Sequence, residues 1–163
     1  MAISPSVKSA WQVNSRVDDA LLEHLTPEML HAETPGGGYS VAQHLAHLTG
    51  SLNYWASHLD DEKLDSVDNL YQLDDEDEDV FIAETDLHRI RDVMLMTRKV
   101  ALDVAEAAPD NSKGTLPHTS TDAFLIHMMV HAAHHRGQIM LALKESGYPL
   151  PDVEPIWGPW RGG

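Results

Sequence analysis

The chain has 163 residues, no cysteine and a formal charge of −15 from 26 acidic against 11 basic residues. This length fits a single domain over residues 1–163, and the missing cysteines exclude disulfides and thiolate metal ligands. The acidic balance excludes a nucleic-acid partner, which needs clustered Lys and Arg, and the lack of a long apolar run predicts a soluble, cytoplasmic protein without a membrane partner.

The first predicted helix begins at Ser4-Pro5, because serine suits the N-cap and proline the first helical position. Apolar residues then recur at helical spacing as far as Leu25. Thr26-Pro27 opens a short additional turn of helix. The N-terminal region is therefore predicted to be helical.

The second predicted helix follows the Gly-rich segment 35–38, which cannot continue a helix. Ser40 and Gln43 have the spacing of a capping box, so this helix is expected to begin there and to reach about residue 60. Residues 60–80 are acidic and sparsely apolar, which predicts a surface loop that crosses the length of the molecule.

Two more helices are predicted in the second half of the chain. The third runs from about Phe81 to Ala108, and residues 110–117 form a linker. The fourth begins near residues 119–121 and stops at Gly147, before a Pro-rich tail. Because no segment shows the alternation of a β-strand, the sequence predicts an all-α four-helix bundle.

Histidine is the unusual residue of this chain, with eleven copies that fall mainly in two segments. In the fourth helix, His131 and His135 lie on the apolar stripe, while His127 and His134 flank it. Residues four apart on a helix are side by side, so His131 and His135 can take adjacent positions on one ion. One core histidine needs no metal, but two on one stripe leave several polar atoms unsatisfied unless a cation joins them.

A third ligand is expected from the second helix, which offers His44, His47 and His58. Periodicity mildly prefers His44, which lies nearer the apolar stripe, whereas His47 lies at its edge with Ser51. The pattern alone does not choose between these residues.

Two motifs resemble those of the DinB/YfiT-like superfamily of small four-helix metalloenzymes. The segment from Ser40 to His47 is similar to the family's helix-two histidine, seven residues after its cap, and residues 131–139 (HAAHHRGQI) match its His-x-x-x-His-Arg-Gly-Gln-Ile run. With the matched spacing, the resemblance spans nearly the whole chain. It implies an up-down-down-up bundle with a long second connection, and homodimers.

The resemblance also implies a three-histidine site for zinc, nickel or a similar divalent ion, formed by His47, His131 and His135. It gives no ligand role to His127 and His134, which we interpret as supporting or surface groups. Arg136 points away from the stripe and is expected to pair on the surface. Some relatives activate low-molecular-weight thiols.

Three neutral imidazoles leave a divalent ion with an open position, which is typical of catalytic sites. Such an ion activates water or a thiol, so the leading hypothesis is a metal-dependent enzyme that acts on a small molecule, either thiol S-transferase-like or hydrolytic. The alternative is a non-catalytic, stress-related dimeric bundle in which the metal only satisfies buried histidines. A fourth protein ligand, with His44 as the obvious candidate, would favour this alternative.

Overall fold

The computed structural model describes residues 3–73, 81–108 and 117–161. In chain order these residues form α1 (Pro5–His24), a 3-10 helix (Pro27–His31), α2 (Val41–Ser57), α3 (Asp61–Asp65), β1 (Tyr71–Leu73), β2 (Phe81–Ala83), α4 (Leu87–Ala107), α5 (Thr121–Glu145), α6 (Val153–Trp157) and a second 3-10 helix (Gly158–Arg161). The described part is mostly helical, which confirms the predicted class. None of its helices has both the length and the apolar character needed to cross a membrane.

Local capping sets the starts of three long helices. The side chain of Ser4 accepts from the backbone of Val7, and Ser120 does the same for Ala123. At α2 the capping box is complete: Gln43 N–H donates to Ser40 Oγ at 3.2 Å, and Ser40 N–H donates to Gln43 Oε1 at 2.9 Å. These bonds satisfy backbone donors that the first turn of a helix leaves open. The predicted starts of α1, α2 and the fourth long helix, α5, are therefore confirmed.

The connection between α2 and α4 differs from its prediction. Residues 81–83 are not the start of a helix but a strand, which pairs antiparallel with β1 so that Gln72 faces Ile82. The helix begins later, after Asp86, whose carboxylate accepts from the backbone of His88 at 2.8 Å. The prediction that the chain has no strand was wrong, because three-residue strands are too short to show an alternation.

The crossover also supplies core residues, so its description as only a surface loop was wrong. Leu64, Val67 and Leu70 are buried against the helices. Gly50 of α2 allows β1 to pack closely against this helix, because a Cβ at position 50 would lie only 2.9 Å from the ring of Tyr71. Residues 74–80 of the predicted crossover, and 110–116 of the predicted linker, lie outside the described residues.

The four long helices enclose one apolar core. α2 contacts both α4 and α5, and α1 contacts the same two helices. Among the core residues that are least accessible are Leu45 of α2, Ile90 of α4, and Phe124 and Leu143 of α5. The C-terminal α6 lies against α1, so the described tail packs on the helices.

A buried ion-pair cluster joins α1 to α4 and α5. Asp18 of α1 pairs with Arg136 of α5 and, at 3.4 Å, with Arg98 of α4. Asn14 completes the cluster, because its amide donates to Asp18 at 3.3 Å and its carbonyl oxygen accepts from Arg136 at 2.9 Å. Burial raises the pKa of Asp18, and the two guanidinium groups act against this shift. The expectation that Arg136 pairs on the surface was wrong, since its side chain is mostly buried.

We predict that Asp18→Asn lowers the free energy of unfolding by about 3 to 5 kcal/mol, because it leaves two buried guanidinium groups without their shared carboxylate. Urea unfolding followed by circular dichroism measures this change. The matched control is Glu106→Gln, which removes the exposed ion pair to Lys8 and should cost less than about 1 kcal/mol. Equal effects of the two changes would contradict a stabilising role for the cluster.

Candidate metal centre

Three histidines from two helices converge on one point. His47 lies on α2, and His131 and His135 lie one turn apart on α5. The Nε2 atom of His131 is 3.2 Å from His47 Nε2 and 3.1 Å from His135 Nε2. One ligand atom from each of the three residues lies within 4.8 Å of the other two, and they form the only such group of His, Cys, Asp or Glu among the described residues.

The chemistry of this group suits a divalent ion. With metal–nitrogen bonds of about 2.0 Å, ligand nitrogens around a tetrahedral ion lie roughly 3.3 Å apart, close to the two observed separations. The three Nε2 atoms cannot all be satisfied by one another, because one N–H on His131 can donate a well-directed hydrogen bond to only one of its two neighbours. A cation at the centre removes this conflict. The three histidines therefore fit a metal ion.

A directed chain of hydrogen bonds orients His135. The hydroxyl of Thr34 donates to the carbonyl of Tyr39 at 3.0 Å, so its oxygen accepts from His44 Nε2–H at 2.8 Å. The Nδ1 atom of His44 then carries a lone pair and accepts from His135 Nδ1–H at 2.9 Å. This assignment leaves the Nε2 atom of His135 as a lone pair that points into the three-histidine group. Such outer bonds fix the tautomer and the ring orientation of a metal ligand.

The structure separates the three candidate histidines of α2. His47 joins the site, and His44, which is 1% exposed, turns its Nδ1 atom to His135 instead. His58 bonds to the carbonyl of Tyr54 on its own helix. Helical periodicity mildly preferred His44, and His44 is indeed more buried than His47. Burial alone, however, does not place an imidazole in the three-histidine group, which contains His47.

The remaining histidines of α5 lie outside the three-residue group. His127 is exposed and bonds to His118 at 2.9 Å, and His134 is exposed and bonds to Gln138 at 2.8 Å. Sequence reasoning missed Thr34, which lies in the turn before α2 and bonds to His44. It also left Ser51 without a role, although its hydroxyl lies 3.4 Å from His47 Nε2.

The environment keeps the imidazoles neutral. Burial, together with neighbouring histidine charges, lowers the pKa of His131 to about 4 and that of His135 to about 3. The same causes lower the pKa of His44 to about 4, and burial lowers the pKa of His47. At neutral pH each ring is therefore uncharged and has one nitrogen whose lone pair is available to a cation.

We predict that the metal-free protein loses stability as the pH falls from 6.5 to about 4. The unfolded chain takes up protons near the ordinary histidine pKa of 6.5, whereas folded His131 and His135 do so only near 4 and 3, so acid favours the unfolded state over this interval. Thermal melts in a chelator measure the change. His131→Gln should flatten the profile, and His88→Gln, at an exposed position on α4, should leave it as in the wild type. A flat wild-type profile would contradict the prediction.

We also predict that His44→Leu weakens metal binding by about 10- to 100-fold, because His135 loses the acceptor that sets its orientation. Competition with a chelator of known affinity gives the constant. His58→Leu is the control, since that ring bonds to the Tyr54 carbonyl and lies outside the three-histidine group. If both variants bound metal as the wild type does, His44 would have no orienting role.

A family comparison gives one match over most of the chain. The model of the DinB family matches residues 5–160, which include both histidine motifs and all four long helices. No curated protein and no solved structure matches the chain. Because the family match covers nearly all of the sequence, the chain belongs to the DinB family.

Proposed function

We propose that this protein is a metal-dependent enzyme that acts on a small molecule, by thiol S-transfer or by hydrolysis. One observation carries the proposal: three imidazoles converge, and no fourth His, Cys, Asp or Glu of the described chain joins them. The residue that would have closed the site, His44, is turned to His135. An ion held by three protein ligands retains an open position, which is the catalytic arrangement.

Each residue of the site has a role in this proposal. His47, His131 and His135 would hold the ion, and His44 would keep the ring of His135 in place. A divalent ion, zinc or nickel, would supply the Lewis acidity that activates water or a thiol. His47 and His131 are only half-buried, so the site borders the surface and a substrate can approach it. The hydroxyl of Ser51 is close enough to His47 to bond a substrate there.

The thiol form of the reaction needs an external reagent. The chain has no cysteine, so the thiol must enter as a low-molecular-weight co-substrate. We further propose a cytoplasmic homodimer whose four long helices form an up-down-down-up bundle within one domain over residues 1–163. The net charge of −15 supports the proposal that the protein does not bind nucleic acid.

A second function, metal binding without turnover, is favoured because no carboxylate of the described residues joins the three-histidine group. Glu28 and Asp103 are exposed and Glu106 pairs with Lys8, so none of these three carboxylates belongs to the three-histidine group. A non-catalytic, stress-related metal-binding protein needs no general base. Turnover separates the two functions, because both require the metal.

We predict that the purified wild type binds one zinc or nickel ion per chain and that His47→Ala, His131→Ala and His135→Ala each retain little or none, since two imidazoles hold an ion far more weakly than three. Elemental analysis after loading and desalting measures the content. The control is His88→Ala, which removes an exposed histidine of α4 and should keep the ion.

The loaded wild type is then assayed with several thiols and an electrophile, and with ester and amide substrates. Turnover that is lost in the three alanine variants supports the enzyme. A wild type that binds metal but shows neither reaction favours the non-catalytic protein. A wild type that binds no metal, or alanine variants with unchanged content, would overturn both functions.

A further inference from the structure

One face of α5 is apolar and exposed along most of its length. Ile126, Val130 and Leu141 each expose more than two fifths of their surface, with 63% for Val130. Ala133 and Gly137 lie between them on the same side, within about 60° of Ile126 at 100° per residue. We call these five residues the α5 stripe. Chains that stay monomeric rarely leave such a continuous apolar strip in water.

Gly137 is the least expected residue of the stripe. Glycine in the interior of a helix costs about 1 kcal/mol relative to alanine. Its backbone is not in the left-handed region, and a Cβ placed there would meet no atom of the described chain within 4 Å. Neither backbone conformation nor packing within the chain therefore requires a glycine here. A small residue at an open position suits the close approach of another helix, as does Ala133 one turn away.

A cleft of about 430 Å³ adjoins the stripe, so this surface has a concave part next to its exposed apolar side chains. The stripe residues Ala133 and Gly137 line it together with Trp157 and Trp160 of the C-terminal segment. Both tryptophans are about half exposed, and Val130 protrudes beside the cleft. This face therefore has both a cleft and exposed apolar side chains. In an isologous interface, the side chains of each copy can enter the cleft of the other, so the surface is self-complementary.

The order of residues on α5 is close to symmetric about Ala133, with Ile126 seven residues before it and Leu141 eight residues after it. In an antiparallel pair of α5 helices that cross near this residue, Ile126 of one copy lies toward the second copy's Leu141. The two charged residues of α5 on this side, Asp122 and Lys144, are equally far from Ala133 in opposite directions. The same crossing therefore directs each acidic end toward the basic end of the other copy, so that the charges are complementary.

We infer that the α5 stripe and the cleft beside it are the surface on which a second copy of this chain docks, by a two-fold antiparallel crossing of α5 at Ala133 and Gly137. This inference rests on the homodimer of the proposed function and adds the face and its symmetry. Trp157 and Trp160 of each tail, which line the cleft beside Ala133 and Gly137, extend the contact.

The test compares the mass in solution of the wild type and of two variants by analytical ultracentrifugation over a range of concentrations. We expect the wild type to have twice the chain mass of 18.1 kDa. Val130→Asp places a charge in the apolar contact, and Gly137→Leu fills the open position and separates the helices. Each should raise the dissociation constant about 30-fold or more. Leu95→Asp is the matched control, because Leu95 is an aliphatic residue of α4 that is 59% exposed.

Circular dichroism melts and metal content establish that both variants fold. Selective dissociation of Val130→Asp and Gly137→Leu supports the docking surface. A wild type that stays a dimer in both variants places the interface elsewhere and overturns this inference while leaving the homodimer intact. A monomeric wild type overturns the inference and the homodimer together, without affecting the metal site. Native mass spectrometry that finds a small apolar molecule or a different polypeptide on the monomer also overturns the inference, since the face then has another occupant.

Discussion

Two consecutive residues of α5 tie this helix to different neighbours. His135 bonds to His44 of α2, and Arg136 bonds to Asp18 of α1. Because a helix turns by about 100° per residue, these contacts together fix the rotation of α5 about its axis. The site depends on this rotation, since a turn of a few tens of degrees would separate His131 and His135 from His47 on the facing helix. The buried carboxylate of Asp18 is therefore part of what positions the imidazoles, although it touches none of them.

The local features of the fold were predictable from the sequence because they involve residues close along the chain. The caps at Ser4 and Ser40 and the spacing of His131 and His135 need only a few neighbours and the geometry of one helix. The crossover could not be predicted in this way. Leu64 and Leu70 lie in an acidic segment without periodicity, and their burial follows from contacts with distant helices. The position of Arg136 was missed for the same reason, since its partner is 118 residues away.

The choice between His44 and His47 shows the limit of pattern reasoning at the site. Helical periodicity ranks residues by how far they face the core, and His44 is the more buried of the two. A ligand must instead stand where rings of two helices meet, at the border between core and solvent. His47 is half-buried and occupies that border, while His44 lies behind His135. The two histidines therefore have complementary roles, and periodicity alone contains the information for only one of them.

The opposite sides of α5 have separate tasks in this arrangement. At 100° per residue, His131 and His135 lie about 140° and 180° from Ile126, so the metal site and the α5 stripe face away from each other. A second copy docked on the stripe would lie against the side of α5 opposite the three histidines. Each copy then holds a complete and independent site, and dimer formation acts on the site only through the stability of α5. In the proposed dimer, loss of the second copy and loss of the metal would therefore be separable, although both would act through the same helix.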